Sequence, residues 1–385
     1  MDFIVFSDDW GEHPSSSQHL FRQIARDHRV LWVNTVGMRR PRLNAADLRK
    51  AARKLRHMLR RTPAAGGPRG SVPPENLVIV QPPMLPLPGL GAARAFNDWS
   101  AIRVIRSALT HHGMSRPVVV TTVPNACDVV DHLDASLIVY YCVDDFAAWP
   151  GNDRRVVQRM EARLIARADV LLATSGALFE ALRSSGKPTL RFDHGVDAEH
   201  FAGPCGREHP RLASLPKPRA GFFGLLDERV DDALLAQIAR RMPEWTFVLA
   251  GPQVAALAQS ASCPNIIRIG SLPYTELPPF VDGVDVLIIP YRVNEFTQTI
   301  SPLKLNEYLA TGRPVVSSAL AESARRGPLV RIAGRADEWV DALRRALHDD
   351  RHERLTAVAD LLRGLSWREK SVSFLELIEA RIGRR

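Results

Sequence analysis

The chain has 385 residues, of which 45% are hydrophobic and 24% charged, and it carries a net charge of +9 with a pI of about 9.8. This length favours two domains, and the composition is typical of a globular protein and excludes a disordered one. The four cysteines lie far apart without a CxxC pair, which argues against a zinc site or a disulfide framework.

The N-terminal Met-Asp and the short apolar run Phe3–Phe6 lack the basic start and longer apolar core of a signal peptide. No apolar stretch approaches the roughly 20 residues that span a bilayer. Together with the isolated cysteines, these features predict a protein of the reducing cytoplasm.

In the first half, short Val/Ile/Leu-rich runs alternate with helical patterns, which predicts a parallel sheet covered on both faces. The predicted strands are Phe3–Ser7, Val30–Asn34, Leu77–Gln81, Val118–Thr122, Leu137–Cys142 and Val170–Thr174. The predicted helices are Ser16–Asp27, Ala45–Arg61, Ala92–His112, Arg154–Ala168 and Gly176–Ser184.

Polar residues follow the first strand, at the end where parallel sheets bind ligands. Asp8 or Asp9 is a candidate general base, and Asp9, Ser17, Gln18 and His19 are candidate contacts of the acceptor or of the donor sugar. A simpler interpretation of the serine-rich run is that it caps the first helix.

Residues 47–61 carry seven basic side chains against the single acid Asp47, with apolar residues at helical spacing. Such a basic amphipathic helix can lie on an anionic membrane surface, here the inner face of the plasma membrane. The alternative is a solvated helix packed on its own domain. Nucleic acid is a weaker option, because no binding motif is present and no aromatic residues alternate with the basic ones. A Pro/Gly-rich loop follows at residues 62–75.

The strand Leu137–Cys142 leads into the paired carboxylates Asp144 and Asp145. A carboxylate beside another, or one that is partly desolvated, can have a raised pKa suited to a general base. We predict Asp144 as the first candidate base and Asp145 as the second. The alternative is that one of them caps the next helix or pairs with an arginine.

The second half repeats the alternation after a Gly/Pro-rich candidate linker, Asp197–Pro218, and predicts a second doubly wound sheet facing a cleft between the domains. The predicted strands are Ala220–Phe223, Thr246–Ala250, Ile266–Ile269, Val284–Pro290, Pro314–Ser317 and Leu329–Ile332. The predicted helices are Asp231–Arg241, Pro252–Ser260, Leu303–Ala310 and Asp337–Leu347.

Two strand-to-helix loops of this half are candidate ligand loops. Gly224 ends a strand where free N–H groups can meet a phosphate, and Arg229 follows with a guanidinium. No GxGxxG dinucleotide fingerprint follows a strand. The loop Ile269–Tyr274, with Leu272, could lie against a nucleotide base, although Tyr274 could equally pack in the core.

The clearest pattern is the strand ending at Tyr291, a polar loop, and the helix that Ser301 caps and Pro302 begins. A helix start attracts anions, and Lys304 in its first turn adds a cation for a diphosphate. Glu307, one turn later, can accept hydrogen bonds from two ribose hydroxyls. The alternative is an ordinary helical pair of Lys304 and Glu307.

The runs GFFGLLDERVDDALL, PEWTFVLAGP, IRIGSLPYTELPPFV, DVLIIPY and SPLKLNEYLATGRPVVSS resemble the donor domain of family-4 glycosyltransferases of the GT-B fold. His194–Asp197 is similar to the Asn-Gly-Val-Asp that closes their first domain, with His in place of Asn. The tail from Ser366 resembles the helix that crosses back to the first domain. The resemblance implies a nucleotide-diphosphate-sugar donor, usually UDP- or GDP-linked, and no essential metal or other cofactor; of the two donors we favour UDP.

Retaining members carry Glu-x7-Glu, whose second Glu matches Glu307, whereas the first falls on Thr299, with Glu295 nearby. This departure favours an inverting enzyme. The Ser-x-x-Lys helix start after a Tyr-ended strand is also similar to the xanthan-type glucuronosyltransferase, which is inverting.

We therefore expect a hexosyl- or glucuronosyltransferase acting on a hydroxyl of a saccharide or lipid-linked saccharide in polysaccharide or glycoconjugate biosynthesis. The expected domains are 1–200 for the acceptor, 201–365 for the donor, and a returning helix at 366–385. The alternatives are a nucleotide-sugar 2-epimerase of the same architecture and an inactive saccharide-binding scaffold.

Overall fold

The structure, a computed structural model, describes residues 1–11, 15–35, 73–85, 90–202 and 205–383. The chain divides into two compact units, residues 1–193 with 370–385, and residues 194–369. The chain therefore passes between units at 193–194 and 369–370, a few residues from the predicted boundaries at 200 and 365. The predicted linker Asp197–Pro218 lies inside the second unit and includes a short helix, so the linker prediction is wrong.

The described part of the first unit contains a seven-stranded parallel sheet in the order β3-β2-β1-β4-β5-β6-β7. Its strands are β1 Asp2–Ser7, β2 Arg29–Asn34, β3 Leu77–Val80, β4 Val118–Thr121, β5 Leu137–Cys142, β6 Val170–Ala173 and β7 Thr189–Arg191. Its helices include α1 Ser16–Ile24, α2 Gly91–His111, α3 Arg154–Arg167 and α4 Gly176–Arg183. The central strands are apolar on both faces because helices cover both sides of the sheet.

The strand order of the first unit reverses at β1, since β2 lies on one side of it and β4 on the other. A crevice for ligands forms outside the carboxyl ends of the strands at such a switch point. Ser7 and the residues that follow it therefore stand at the position that this topology favours for binding.

The C-terminal helix of the chain, α13 Trp367–Ile382, enters the first unit from residue 370 onward. Phe374 on this helix contacts the rings of Phe3, Phe21 and Phe192, with centroid distances of 6.4, 5.8 and 5.8 Å. The returning helix that the family resemblance implies is thus confirmed.

The second unit contains a six-stranded parallel sheet in the order β10-β9-β8-β11-β12-β13. Its strands are β8 Arg219–Phe223, β9 Thr246–Ala250, β10 Ile266–Gly270, β11 Val286–Ile289, β12 Val315–Ser317 and β13 Arg331–Ile332. Its helices include α5 Ala198–Phe201, α6 Asp232–Arg241, α7 Leu277–Asp282, α8 Glu295–Thr299, α9 Leu303–Ala310, α10 Ala321–Ala324, α11 Ala336–Ala346 and α12 Arg351–Leu365. The order reverses between β8 and β11, which places the switch point of this unit at their carboxyl ends.

The predicted fold class, two Rossmann-like parallel-sheet domains of the GT-B type, is confirmed. The predicted helix Pro252–Ser260 is wrong: the N–H groups of Val254 and Ala255 donate to the carbonyl of Leu226, at 3.0 and 3.2 Å, instead of forming a helical ladder. The predicted helix Ala45–Arg61, with the basic stretch 47–61, lies outside the described residues, as does most of the loop 62–75.

Candidate active site

The best-developed cluster of site residues lies at the switch point of the second unit. Lys304, in the first turn of α9, donates from Nζ to the Tyr291 hydroxyl at 2.8 Å. The same ammonium lies 3.8 Å from the centroid of the Phe222 ring and 5.1 Å from that of Tyr291. Three predicted site features therefore meet at one amino group. They are the end of β8, the loop after β11 and the start of α9.

Gly224 ends β8 next to this amino group, with φ of +133°, a backbone conformation that L side chains rarely adopt. A Cβ at this position would lie 2.5 Å from Lys304 Nζ. The glycine therefore permits both the turn and the close approach of the ammonium to the backbone.

Arg229 also lies near Tyr291, with its guanidinium carbon 5.5 Å from the ring centroid. It forms an ion pair with Asp227, whose carboxylate accepts from Nε at 3.0 Å and from Nη2 at 2.7 Å. Tyr291 thus has two cations nearby, one of them paired with Asp227. Burial lowers the pKa of Lys304, and Arg229 lowers it further, so this cluster favours an anionic ligand.

Hydrogen bonds hold α9 against the end of β8. The Tyr308 hydroxyl accepts from the Phe223 N–H at 3.0 Å, and the Asn306 side chain donates to the His194 carbonyl at 2.8 Å. The first residue of the helix is Leu303, and Pro302 occupies the N-cap position in an extended conformation without a side-chain hydrogen bond. The predicted cap at Ser301 with Pro302 as first helical residue is therefore wrong, because the helix begins one residue later.

Glu307, on the same helix, lies near Asp197 and Tyr274. Burial raises its pKa to about 7; Lys304 acts in the opposite sense and Asp197 in the same sense. Tyr274 lies close enough to Glu307 and Asp197 for both to raise its pKa, in addition to burial, and it stacks on the His200 ring at 4.1 Å. Leu272, in the loop after β10, is buried.

Asp8, which follows β1 in the first unit, is held by a ring of hydroxyl and amide donors. Its carboxylate accepts from Ser7 Oγ at 2.7 Å, Ser15 Oγ at 3.1 Å and Gln18 Nε2 at 3.0 Å. The residue keeps an exposed surface, yet burial of much of its carboxyl raises its pKa against the effect of these hydrogen bonds. A carboxylate with raised pKa at a switch point has the properties of a general base.

This arrangement changes the interpretation of the predicted sugar contacts. Ser17 Oγ lies 2.8 Å from Ser7 Oγ, and Gln18 holds Asp8 and accepts from the Gly11 N–H at 3.1 Å. Ser17 and Gln18 are both buried, while His19 is partly buried, and Ser15 caps α1 as the simpler interpretation has it. The strand order, which the sequence does not reveal, places the end of β1, and with it both Asp8 and Asp9, at the switch point.

The paired carboxylates after β5 are partly buried. Asp145 Oδ1 accepts from the N–H groups of Ala147 and Ala148, each at 3.1 Å, which is a turn-capping role. The backbone carbonyl of Asp144 accepts from the Phe146 N–H at 3.1 Å. Thr299, at the position of the first Glu of the retaining motif, ends α8 and donates to the Phe296 carbonyl at 2.7 Å.

Within the described parts of the chain, no group of three or more His, Cys, Asp or Glu residues is placed to hold a metal ion, and the four cysteines, all described, are free. The same ranges contain no helix long and apolar enough to cross a membrane.

The second unit contains a recognisable family domain, since residues 217–349 match the family model described as Glycosyl transferases group 1. This stretch is a glycosyltransferase group 1 domain. It contains Gly224, Arg229, Tyr291, Lys304 and Glu307, so the cation cluster belongs to the group 1 domain.

One curated relative, named "Putative teichuronic acid biosynthesis glycosyltransferase TuaH", from Bacillus subtilis (strain 168), is 28% identical over 207 residues. The alignment covers 49% of this chain and 52% of the relative, so the chain spans about half the length of the curated relative that it matches.

Solved structures show the same fold over the whole chain. Sucrose-phosphate synthase from Thermosynechococcus elongatus superimposes with a TM-score of 0.71 at 13% identity, covering 100% of both chains. Anabaena HepE in complex with UDP and glucose superimposes with a TM-score of 0.67 at 13% identity, covering 98% of this chain and 99% of that one. An E. coli trehalose-6-phosphate structure bound with UDP-2-fluoro glucose gives 0.66 at 13% identity, covering 98% of both chains.

Proposed function

We propose that this protein transfers a sugar from a nucleotide diphosphate sugar to a hydroxyl of a saccharide or lipid-linked saccharide. The observation that carries the proposal is the pair of cations near Tyr291: Lys304 donates to its hydroxyl, and the Arg229 guanidinium carbon lies 5.5 Å from its ring centroid. A diphosphate is the donor group that this charge would bind, with free N–H groups at the helix start adding to the cations.

Glu307 supplies the second part of the proposed donor site. It lies one turn after Lys304, where its carboxylate can accept hydrogen bonds from the two hydroxyls of a ribose. Tyr274, whose pKa Glu307 helps to raise, and Leu272, in the loop after β10, are proposed to contact the base. UDP is favoured over GDP because the HepE and trehalose-6-phosphate structures of the same fold hold UDP or a UDP-sugar.

The name of the curated relative supports polysaccharide biosynthesis and favours transfer over the 2-epimerase alternative. The transferred sugar is proposed to be a hexose or a uronic acid, as the predicted similarity to the xanthan-type glucuronosyltransferase suggests. That similarity stays a prediction.

The reaction is proposed to be a direct displacement with inversion. The acceptor oxygen attacks the anomeric carbon, the bond from that carbon to the diphosphate oxygen breaks, and a carboxylate of the first unit takes the hydroxyl proton. Asp8 is favoured for this role because it follows β1 at the switch point, where burial raises its pKa and Ser7, Ser15 and Gln18 hold its carboxylate. Asp144 is the rival, and Asp145 follows because its carboxylate already caps a turn.

A panel of UDP- and GDP-sugars tests the proposal, first by thermal shift and then by product analysis with and without saccharide acceptors. At the same ligand concentration, we expect UDP-sugars to raise the Tm of the wild type by more than they raise the Tm of Lys304→Met. Product formed only with acceptor, with inverted anomeric configuration by NMR, would support transfer. Stabilisation by no nucleotide sugar would overturn the donor assignment, and a changed sugar without acceptor would identify an epimerase.

A further inference from the structure

The first unit contains a cavity between the start of α2 and the helix α3. Its volume is about 270 Å³. A water molecule occupies roughly 30 Å³ in the liquid, so the cavity is large enough for a group of several heavy atoms. Three arginines line it together with small and apolar residues, among them Gly91 and Met160. We call the space that Gly91, Arg94, Arg159, Met160 and Arg163 line the arginine cavity.

The arginine cavity lies beyond the carboxyl edge of the first sheet, the edge at which parallel sheets bind ligands. α2 ends at the opposite edge, because Arg29 at the start of β2 donates from Nη1 to the His112 carbonyl at 3.1 Å. The 21 residues of α2 span about 31 Å, whereas the longest described strands have six residues and span about 20 Å. The first turns of α2 therefore extend past the strand ends, at the edge where Asp8 also lies.

The charged side chains at this cavity carry a net positive charge. Arg94 and Arg163 both pair with the carboxylate of Asp128, which holds their guanidinium groups close together. Asp98 is a second acid near this group. No ion pair or hydrogen bond joins Arg159 to another described residue. Three cations therefore face two carboxylates, and the Arg159 donors are available to a ligand.

Attachment of α3 to the rest of the unit does not explain Arg159. Two other arginines of this helix pair with the segment after β4: Arg163 with Asp128, and Arg167 with Asp131 at 2.9 Å between Nε and Oδ1. Arg159, one turn before Arg163, contacts no described acid. The cavity thus contains one guanidinium more than the packing of α3 uses.

The start of α2 adds backbone donors to these arginines. Leu90 occupies the N-cap position without a side-chain hydrogen bond, and Gly91, the first residue of the helix, lines the cavity. The first N–H groups of a helix have no partners within it, and its dipole favours an anion there. A phosphate group offers three strong acceptor oxygens to several donors at once, whereas a carboxylate offers two. The combination of convergent arginines and N–H groups favours phosphate.

We propose that the arginine cavity binds a phosphate group that the acceptor carries, with Arg94, Arg159 and Arg163 as its ligands. This inference rests on the proposed function, because it assigns a chemical class, the phosphorylated saccharides, to the acceptor of that reaction. The phosphate can belong to a soluble sugar phosphate or to the diphosphate of a lipid-linked saccharide, since the cavity would contact the same oxygens in both. The test distinguishes these two sources.

Calorimetry with glucose 6-phosphate tests the site directly. It is carried out with saturating UDP and repeated in Lys304→Met, so that the cations of the second unit cannot account for the binding. We expect glucose 6-phosphate to bind and glucose not to bind.

Gly91→Glu should lower this affinity at least about tenfold, because its carboxylate competes for the arginines. Gly91→Gln has the same size without the charge and should lower it less. An added Cβ at Gly91 meets no atom within 4 Å, and a carboxylate suits the first turn of a helix, so both variants should fold. An unchanged Tm checks this.

Arg159→Gln should weaken the binding of glucose 6-phosphate about tenfold, because it removes a charge-assisted hydrogen bond. The matched control is Arg155→Gln, since Arg155 lies on the same helix and is exposed like Arg159 but does not line the cavity. It should leave the affinity unchanged.

A soluble diphosphate ester that joins a sugar to a short alkyl chain is the second probe. Tighter binding of this ester than of glucose 6-phosphate would identify a lipid-linked acceptor, and the reverse order would identify a sugar phosphate.

Transfer kinetics connect the cavity to the reaction. For a phosphorylated acceptor, Arg159→Gln should raise KM about tenfold and change kcat less than about twofold, because the lost contact is remote from the reacting hydroxyl. Removal of the phosphate from the acceptor should raise the KM of the wild type by a similar factor. The two acceptors should differ less in KM for Arg159→Gln than for the wild type.

The outcomes separate this site from the proposed function. If neither phosphorylated probe binds while a neutral saccharide accepts sugar normally, the cavity assignment is overturned and the proposed function stands. Equal weakening in Arg155→Gln and Arg159→Gln would also overturn it, since the charge of the whole helix would then be responsible. Phosphate binding that Gly91→Glu and Arg159→Gln weaken, in a protein that transfers no sugar, would support the site and overturn the proposed function.

Discussion

The two units share one topology and differ in the charge at its switch point. In the first unit, the end of β1 presents Asp8, a carboxylate held by Ser7, Ser15 and Gln18. In the second unit, the ends of β8 and β11 present the cations Lys304 and Arg229 around Tyr291. The same crevice-forming reversal of strand order therefore produces an acidic position in one unit and a cationic position in the other.

The comparison indicates that the fold determines where a ligand can bind, whereas a few side chains determine the chemistry at that position. A cationic position suits an anionic leaving group, and a carboxylate suits the removal of a proton. If this division of labour is correct, substitutions at the two switch points should have separable effects on binding and on rate.

The largest expected effect is that of Asp8→Asn. Loss of a general base should lower kcat at least about a hundredfold, whereas affinity for UDP, which is proposed to bind the second unit, should not change. The base must be ionised, and its pKa is raised above the ordinary value, so wild-type kcat/KM should rise as pH increases through that pKa. Transfer rates measured across pH, with UDP binding by calorimetry, provide the check.

Asp144→Asn tests the alternative assignment of the general base. If it loses activity as severely as expected for Asp8→Asn, and Asp8→Asn remains active, then the base lies after β5 and the comparison of the switch points fails. If high pH restores the activity of neither variant, that result is consistent with loss of the carboxylate that accepts the proton.

Lys304→Met should weaken UDP binding by about ten- to a hundredfold, because a charge-assisted hydrogen bond to the diphosphate is removed. Burial lowers the pKa of Lys304, so the folded state disfavours its charged form. This penalty is present at every pH below the pKa of an unfolded lysine, and methionine removes it, so the unliganded variant should be at least as stable as wild type. Calorimetry and thermal unfolding measure both quantities.

The control for this variant is Lys217→Met, which removes an exposed lysine of the same unit that lies 4.0 Å from Asp285. It should leave UDP affinity unchanged. An equal loss of UDP affinity in both lysine variants would mean that the total positive charge of the unit, and not the position of Lys304, determines binding.

Gly224→Ala separates backbone strain from the close approach of Lys304. Gly186, with φ of +72° and no atom within 4 Å of an added Cβ, provides the matched control. Both alanine variants should lose about 1–2 kcal/mol of stability from the unfavourable backbone conformation. Only Gly224→Ala, whose Cβ would displace Lys304 Nζ, should also weaken UDP binding, by roughly tenfold. Equal affinities in the two variants would contradict this.

Much of the fold could be predicted because alternating apolar strands and helices are local patterns. The missed elements show the limit. β7, Thr189–Arg191, is a short edge strand without a continuous apolar run, and Pro252–Ser260 has a helical composition but gives its N–H groups to Leu226. Such hydrogen bonds depend on a loop distant in sequence.

The candidate residues of the second unit were easier to group from the sequence than those of the first for a similar reason. Lys304 and Glu307 belong to one helix that follows one strand, so a short stretch of sequence contains most of the pattern. Asp8 acquires its position from the order of β2, β1 and β4, which cannot be read along the chain, and its donors come from β1, the N-cap of α1 and α1 itself. The carboxylates after β5 look similar in sequence but stand away from the reversal.

The smallest expected effect concerns Glu307, whose pKa of about 7 makes donor binding depend on pH near neutrality. The ionised carboxylate accepts hydrogen bonds from the ribose more strongly than the protonated form, so UDP affinity should rise a few-fold from about pH 6 to pH 8. Glu307→Gln should bind UDP more weakly than wild type at pH 8 and show a flatter pH profile of affinity.

UMP retains the ribose and lacks the diphosphate, so calorimetry with UMP should reproduce the pH dependence. Because Lys304 lowers the pKa of Glu307, Lys304→Met should move the midpoint of the profile to higher pH. A midpoint unaffected by Lys304→Met would show that another group controls the titration, and would separate the ribose contact from the cation cluster.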